Sequence, residues 1–249
     1  LKKKNLILNY HRILSADDFR SDDLNGIYEI NLSDFEWQMD FLLQNKIPIV
    51  STRQLKNPET LPESSVCISF DDGNFSDYEL VLPILKQRQI HATFFIPVNK
   101  GELNWVELNE MVEHGFEIGS HGMNHIVMGV TADDEMNTSK RVLEECLSAD
   151  ISSFAFPFGI YSRRSMEMAK ACGYEILFST DKKVNFPEDR PVLFHRWTIT
   201  KATTKNNFDK LITSNVYRKR KSIIFHFVKI GKRLVGKRMA DRLNLHLNS

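Results

Sequence analysis

Cysteine is scarce in this chain: Cys67, Cys146 and Cys172 are the three in 249 residues, an odd number at wide spacing. That excludes a disulfide framework and a cysteine-built zinc cluster, and it points to a reducing compartment. No run of 18 apolar residues occurs, so no segment reads as a membrane-crossing helix. The stretch Leu1–Tyr10 begins on a basic note, but its apolar run is too short for a secretory core and has no small-residue cleavage site. It reads as a first strand of a cytoplasmic protein; a leader trimmed before Leu1 would make the protein secreted instead. Internal repeats and low-complexity segments are also missing. A length of 249 residues is then left to one large core, the size of a single α/β barrel.

Acidic residues are lacking in one region. Residues 201–249 hold 13 of the 33 basic residues but only Asp209 and Asp241, whereas residues 1–200 hold 20 basic against 30 acidic. The chain thus divides into an acidic body, 1–200, and a basic extension, 201–249. In the extension, Tyr217-Arg-Lys-Arg-Lys221 precedes Ile223, Ile224, Phe227, Ile230, Leu234 and Val235, with Lys229, Lys232, Arg233, Lys237 and Arg238 interleaved. This spacing predicts an amphipathic helical region docked on the body. Its cationic face would meet a membrane surface, at the inner face for a cytoplasmic protein, or a phosphate-bearing carrier. Nucleic-acid binding would rest on this extension alone and is not expected.

Short apolar runs alternate with helical patterns in the body. Leu6–Asn9, Val66–Phe70, Thr93–Ile96, Phe116–Gly119, Phe154–Phe156, Ile176–Ser179 and Trp197–Thr200 read as strands. Asp34–Leu43, Tyr78–Gln87, Val106–His114 and Ala132–Leu147 read as amphipathic helices, with Ser33 and Thr131 as N-caps and Gly115 and Gly173 just past helix ends. Alternation of this kind makes a mostly parallel sheet or barrel.

The residues able to do chemistry follow these strands, and in a (β/α) barrel such positions converge on the carboxyl-end face. Ser69-Phe-Asp-Asp-Gly73 places two carboxylates at a strand end, one of which can hold a metal while its neighbour acts as a base. The bland alternative is a solvated Asp-Asp-Gly turn. His121-Gly-Met-Asn-His125 supplies two imidazoles after the next predicted β/α unit. Two His and one Asp form a three-ligand set with an open position, the arrangement of catalytic rather than structural zinc.

With these two motifs in this order, the chain resembles the polysaccharide deacetylases, a carbohydrate esterase family, over about residues 5–200. The resemblance implies an α/β fold of the distorted (β/α)7 barrel type, one divalent metal ion, most often Zn2+, and hydrolysis of N-acetyl groups. It casts Asp71 as general base, Asp72, His121 and His125 as metal ligands, and Phe158, in Phe154-Ala-Phe-Pro-Phe-Gly159, as the residue whose backbone N–H meets the acetyl oxygen. Pro157 and Tyr10 join Phe158 as expected substrate contacts. Gly122 stands where the family has Ser or Thr, and Ala155 where it has an Arg that braces the catalytic Asp. The early Tyr10-His11 pair is similar to the permuted order of the biofilm poly-N-acetylglucosamine deacetylases, which makes His11 the expected general acid ahead of His195. Asp181 is a candidate to orient that acid. The substrate expected on this resemblance is an N-acetylated sugar, oligosaccharide or lipid-linked glycan. Its rival is a carbohydrate-binding or scaffold protein that keeps the barrel without turnover.

Overall fold

A computed structural model of the protein describes residues 3–20, 26–128 and 132–235. Its strands are β1 Lys4–Tyr10, β2 Ile13–Leu14, β3 Ile30–Asn31, β4 Ser64–Asp71, β5 Thr93–Ile96, β6 Glu117–Ser120, β7 Ser153–Ala155, β8 Ile176–Ser179 and β9 Leu193–Thr198. Its α-helices are α1 Leu32–Gln44, α2 Leu82–Arg88, α3 Trp105–Glu113, α4 Ala132–Leu147, α5 Arg163–Ala171, α6 Lys205–Thr213 and α7 Asn215–Val235. Seven strands close a barrel in the order β1, β4, β5, β6, β7, β8, β9, every neighbouring pair parallel. The seam is β9 on β1, with Arg196 opposite Ile7 and Thr198 opposite Asn9. This is the distorted (β/α)7 barrel expected from the sequence.

Side chains alternate across a strand with period two, and here the alternation sorts the core into two groups. Leu6, Leu8 and Tyr10 of β1, Val66, Ile68 and Phe70 of β4, and Trp197 of β9 pack outward with helix residues such as Phe35, Met39 and Leu85. Ile7, Cys67, Phe95, Ala155, Phe178 and Phe194 form the inner group, joined by Val50, Leu55 and Leu61. Asn9, Asp71 and Arg196 share the phase of the inner group and are all buried. That phase decides what the barrel mouth contains.

Helix ends follow local chemistry. Asn31, not Ser33, caps α1, its Oδ1 accepting from the Ser33 N–H at 2.9 Å, because the helix begins a residue before the predicted cap. Gly115 and Gly173 follow α3 and α5 with φ of +83° and +86°, as expected of helix C-terminal glycines. Thr131 lies outside the described residues.

The basic extension begins inside the fold. Phe208 of α6 is fully buried against Trp37 and Phe41 of α1. Helix α7 continues from it, with Val216, Ile223, Phe227 and Ile230 exposed. Its Lys229 reaches Asp181 at 2.5 Å. The predicted Lys237 and Arg238 lie outside the described residues.

Candidate active site at the barrel mouth

Asp71 ends β4 in the interior phase and is almost fully buried. Arg196 crosses from β9 and grips both carboxylate oxygens, Nη1 to Oδ1 at 2.6 Å and Nη2 to Oδ2 at 2.8 Å. Asn9 Nδ2 adds a third donor at 3.1 Å. The Arg196 guanidinium is held over the rings of Phe95 and Phe178, 5.1 and 5.8 Å from their centres. Burial alone would raise the Asp71 carboxyl. Arg196 and His121 outweigh it and hold Asp71 well below the usual carboxylate range, so it stays ionised.

Asp72 turns the other way because its φ is +79°, and Gly73 continues the turn at +59°. Its Oδ1 faces His125 Nε2 at 3.3 Å and His121 Nε2 at 3.6 Å. One ligand atom from each of these three residues falls within 4.8 Å of the others. Such a set suits a divalent cation. His121 Nδ1 lies 2.7 Å from the Ala155 carbonyl oxygen and donates to it, which leaves Nε2 as the free lone pair. Burial lowers the pKa of His121 to about 4 and that of His125 in the same direction, keeping both imidazoles neutral as metal ligands must be. Burial and the neighbouring Asp71 charge raise the Asp72 carboxyl, a cost that a bound cation would offset.

The loop that carries the two histidines is tied to α4. Glu135 accepts from the backbone N–H groups of Met123 and Asn124 at 3.0 and 2.9 Å, and from Asn124 Nδ2 at 2.6 Å. Gly122 has φ +83°, a conformation that strains a residue with a Cβ, so the usual Ser or Thr of the family fits this loop poorly. His125 itself has φ +51°.

The third loop follows β7. Pro157 is buried and starts a short turn in which Phe158 has φ +58°. Phe158 is 61 % exposed at the rim, its ring 4.6 Å from that of His125. Gly159 allows this loop to approach β8: a Cβ there would stand 1.9 Å from Thr180 Oγ1.

His11 follows β1 and enters the same mouth. Its ring stacks on Tyr28 at 4.7 Å, and its Nδ1 is buried with no hydrogen-bond partner among the described residues. Burial lowers its pKa, and the charges of Asp71 and Asp72 oppose that shift. An imidazole beside two carboxylates with one nitrogen uncommitted is equipped to pass a proton.

Two expected contributors are elsewhere. Tyr10 is one residue out of phase with the mouth: it is fully buried between Phe35 and Phe70, and its hydroxyl donates to Gln38 Oε1 at 2.6 Å. Asp181 accepts from Tyr161 at 2.9 Å and from Lys229, beside His195 at 3.8 Å, so its partners belong to the outer wall and not to His11. His195 faces outward too, its Nδ1 2.9 Å from Ser179 Oγ, and burial with Lys183 lowers its pKa to about 4.

The sequence reading missed Arg196, which supplies from β9 the brace absent at Ala155. It missed Asn9, Tyr28 and Glu135 as well. The available signal was alternation: Phe194, Arg196 and Thr198 fall on one face, which sets a charge facing inward across the barrel from Asp71.

Comparison with known proteins agrees with this geometry. Residues 59–177 match the family model for polysaccharide deacetylase. A poly-beta-1,6-N-acetyl-D-glucosamine N-deacetylase of Staphylococcus aureus (strain MRSA252) is 27% identical over 227 residues, covering 78% of each chain. Two solved structures share the fold. The deacetylase PplD of Streptococcus pyogenes, in complex with acetate, superposes with a TM-score of 0.75 at 22% identity, covering 85% of this chain and 99% of its own. IcaB from Ammonifex degensii gives 0.73 at 23%, covering 87% and 97%. The strands β4 and β6, after which the paired Asp and His motifs stand, both lie inside the stretch that is similar to the polysaccharide deacetylase family.

Proposed function

We infer that this protein is a metal-dependent hydrolase that removes N-acetyl groups from an amino-sugar glycan. The observation that carries the reading is the convergence of Asp72, His121 and His125 beside an Asp71 that Arg196 keeps ionised. Asp72, His121 and His125 would hold the ion, zinc by preference for a site of two imidazoles and one carboxylate. Such an ion supplies Lewis acidity toward the acetyl oxygen and toward water.

The chain's own groups complete the chemistry. Asp71 accepts the proton of the attacking water. The Phe158 N–H donates to the oxygen on which negative charge develops. His11 delivers a proton to the departing sugar amine, without which C–N cleavage is slow. Acetate and a free amino sugar are the products. The direct test is acetate release from a panel of N-acetylated mono- and oligosaccharides by the purified full chain. It is run as purified, after chelation, and after readdition of single metals. Unchanged turnover after complete metal removal, or none on any N-acetyl sugar with metal restored, would refute the reading.

We further propose that α7 works at an anionic membrane surface, the place of a lipid-linked substrate, with the barrel on the cytoplasmic side. Residues 215–235 contain seven Lys or Arg and no Asp or Glu. The exposed Val216, Ile223, Phe227 and Ile230 run along α7 at helical spacing. Each basic residue near such a surface contributes ~1 kcal/mol. Co-sedimentation with anionic against neutral vesicles should show selective, salt-sensitive binding of the full chain. Equal binding to both would remove the membrane from the reading.

A further inference from the structure

A second charged cluster lies beside the mouth, on the inner side of α7. Lys182, three residues past the end of β8, is half-buried under α7, its ammonium 5.8 Å from the centre of the Phe225 ring. A cavity of about 160 Å3 opens there, lined by Lys182, Lys221, Tyr28, Thr180, Thr198 and Phe225 among others. Two of these residues tie it to the catalytic centre. Tyr28 stacks on His11, and Thr180 is the close neighbour of Gly159 in the Phe158 loop.

The two lysines have no carboxylate partner among the described residues. Asp181, next in sequence to Lys182, is taken by Tyr161 and Lys229. Lys221 has the Tyr217 ring, 5.7 Å away. Burial and the charge of Lys221 both lower the Lys182 pKa, the mark of two ammonium groups brought together without a counterion. Two like charges from separate elements, facing one cavity, are stabilised when an anion enters. At ~30 Å3 per water the cavity has room for roughly five, enough for one phosphate and part of its hydration. Lysine binds phosphate as a point charge, and two of them match the ≈ −2 of a phosphate ester.

We propose that Lys182 and Lys221 form a phosphate-binding subsite, and that the substrate is an N-acetylated glycan carrying a phosphate ester close to the sugar that loses its acetyl group. The inference rests on the deacetylase reading above and names its substrate class. The phosphate would enter beside Tyr28, on the side of the mouth where His11 meets the sugar amine. Inner residues Lys221, Ile224, Phe225 and Val228 of α7 line this cavity, whereas the stripe of Val216, Ile223, Phe227 and Ile230 is exposed.

Two measurements test it on the full chain. First, inorganic phosphate binding is followed by calorimetry, which needs no turnover. Lys182→Met and Lys221→Met should each weaken it by about tenfold or more, as expected for loss of one charged hydrogen bond, and Lys182→Arg should retain it. Secondly, kcat/KM is compared for an N-acetylglucosamine disaccharide with and without a phosphate ester on the adjoining sugar. The wild-type protein should prefer the phosphorylated form by about tenfold or more, through KM, and the ratio should fall toward one in the Met variants. Phosphate affinity that is the same in all variants would overturn the subsite. Phosphate binding without substrate preference would overturn the substrate assignment, leaving a site for free phosphate. Loss of turnover on both disaccharides in the wild-type protein would instead count against the deacetylase reading, and the calorimetry would still decide the subsite.

Discussion

The barrel mouth and the outer wall under α7 hold nearly the same kit of residues and use it differently. The wall sets His195, Asp181, Tyr161, Ser179 and Lys229 together, and the carboxylate there is closed by a tyrosine hydroxyl and a lysine at 2.9 and 2.5 Å. The mouth sets His11, His121 and His125 around Asp71 and Asp72. There the Asp72 oxygen and the Nε2 atoms of His125 and His121 face one another across a shared gap, and His11 Nδ1 has no hydrogen-bond partner among the described residues. A polar cluster built for stability satisfies its atoms, whereas one built for chemistry keeps some in reserve. Asp71 belongs to both kinds, saturated by Arg196 and Asn9 on its inner side and adjoining His121 on the other.

The contrast breaks first at the ligands. Asp72→Ala and His121→Ala should each bring bound metal, measured by mass spectrometry, to background and abolish acetate release; metal content equal to wild type would remove the ligand assignment. Next, Asp71→Asn should retain the metal while turnover falls by about 10^2–10^4, the range for loss of a general base. His11→Ala should fall within the same span with the metal retained. An effect no larger than that of His195→Ala would show that mouth and wall are functionally alike.

Arg196→Lys tests the brace. It keeps a charge but loses the two-pronged grip, so the Asp71 carboxyl moves up toward the ordinary ~3.9. A depressed carboxylate is ionised above its folded pKa and is lost as pH falls through it. The acidic limb of kcat/KM should therefore move to higher pH, by roughly one unit or more. An unmoved limb would mean that Arg196 is structural only. The smallest effect belongs to the wall: His195→Ala should change kcat/KM by less than about threefold, because its hydrogen bonds end at Ser179 and outside the mouth.

The sequence carried the fold further than it carried the site. All seven barrel strands were located, Thr93–Ile96 and Ile176–Ser179 to the residue, because buried parallel strands read as compact apolar runs. The last strand was displaced, from Leu193–Thr198 to Trp197–Thr200, since His195 and Arg196 interrupt its apolar pattern. That displacement hid Arg196, whose burial makes sense only once Asp71 is known to face it across the barrel. Tyr10 was misread for a related reason: β1 runs through it, so its side chain falls on the outer face and the next residue, His11, turns inward. The candidate metal-binding triad of Asp72, His121 and His125 was legible because each member follows its strand closely in the chain. Pairing across the β9–β1 seam depends on closure, which no local pattern encodes.

Asp72, His125 and Phe158 all sit on left-handed backbone. Outside glycine such a conformation costs roughly 1–2 kcal/mol at each position. A directed-evolution campaign selecting for heat resistance alone would therefore drift toward glycine or asparagine at these three codons, gaining melting temperature as it erased the enzyme. Selection on acetate release would hold them in place, so the two pressures diverge at positions that a stability-ranked library would mark as its easiest improvements.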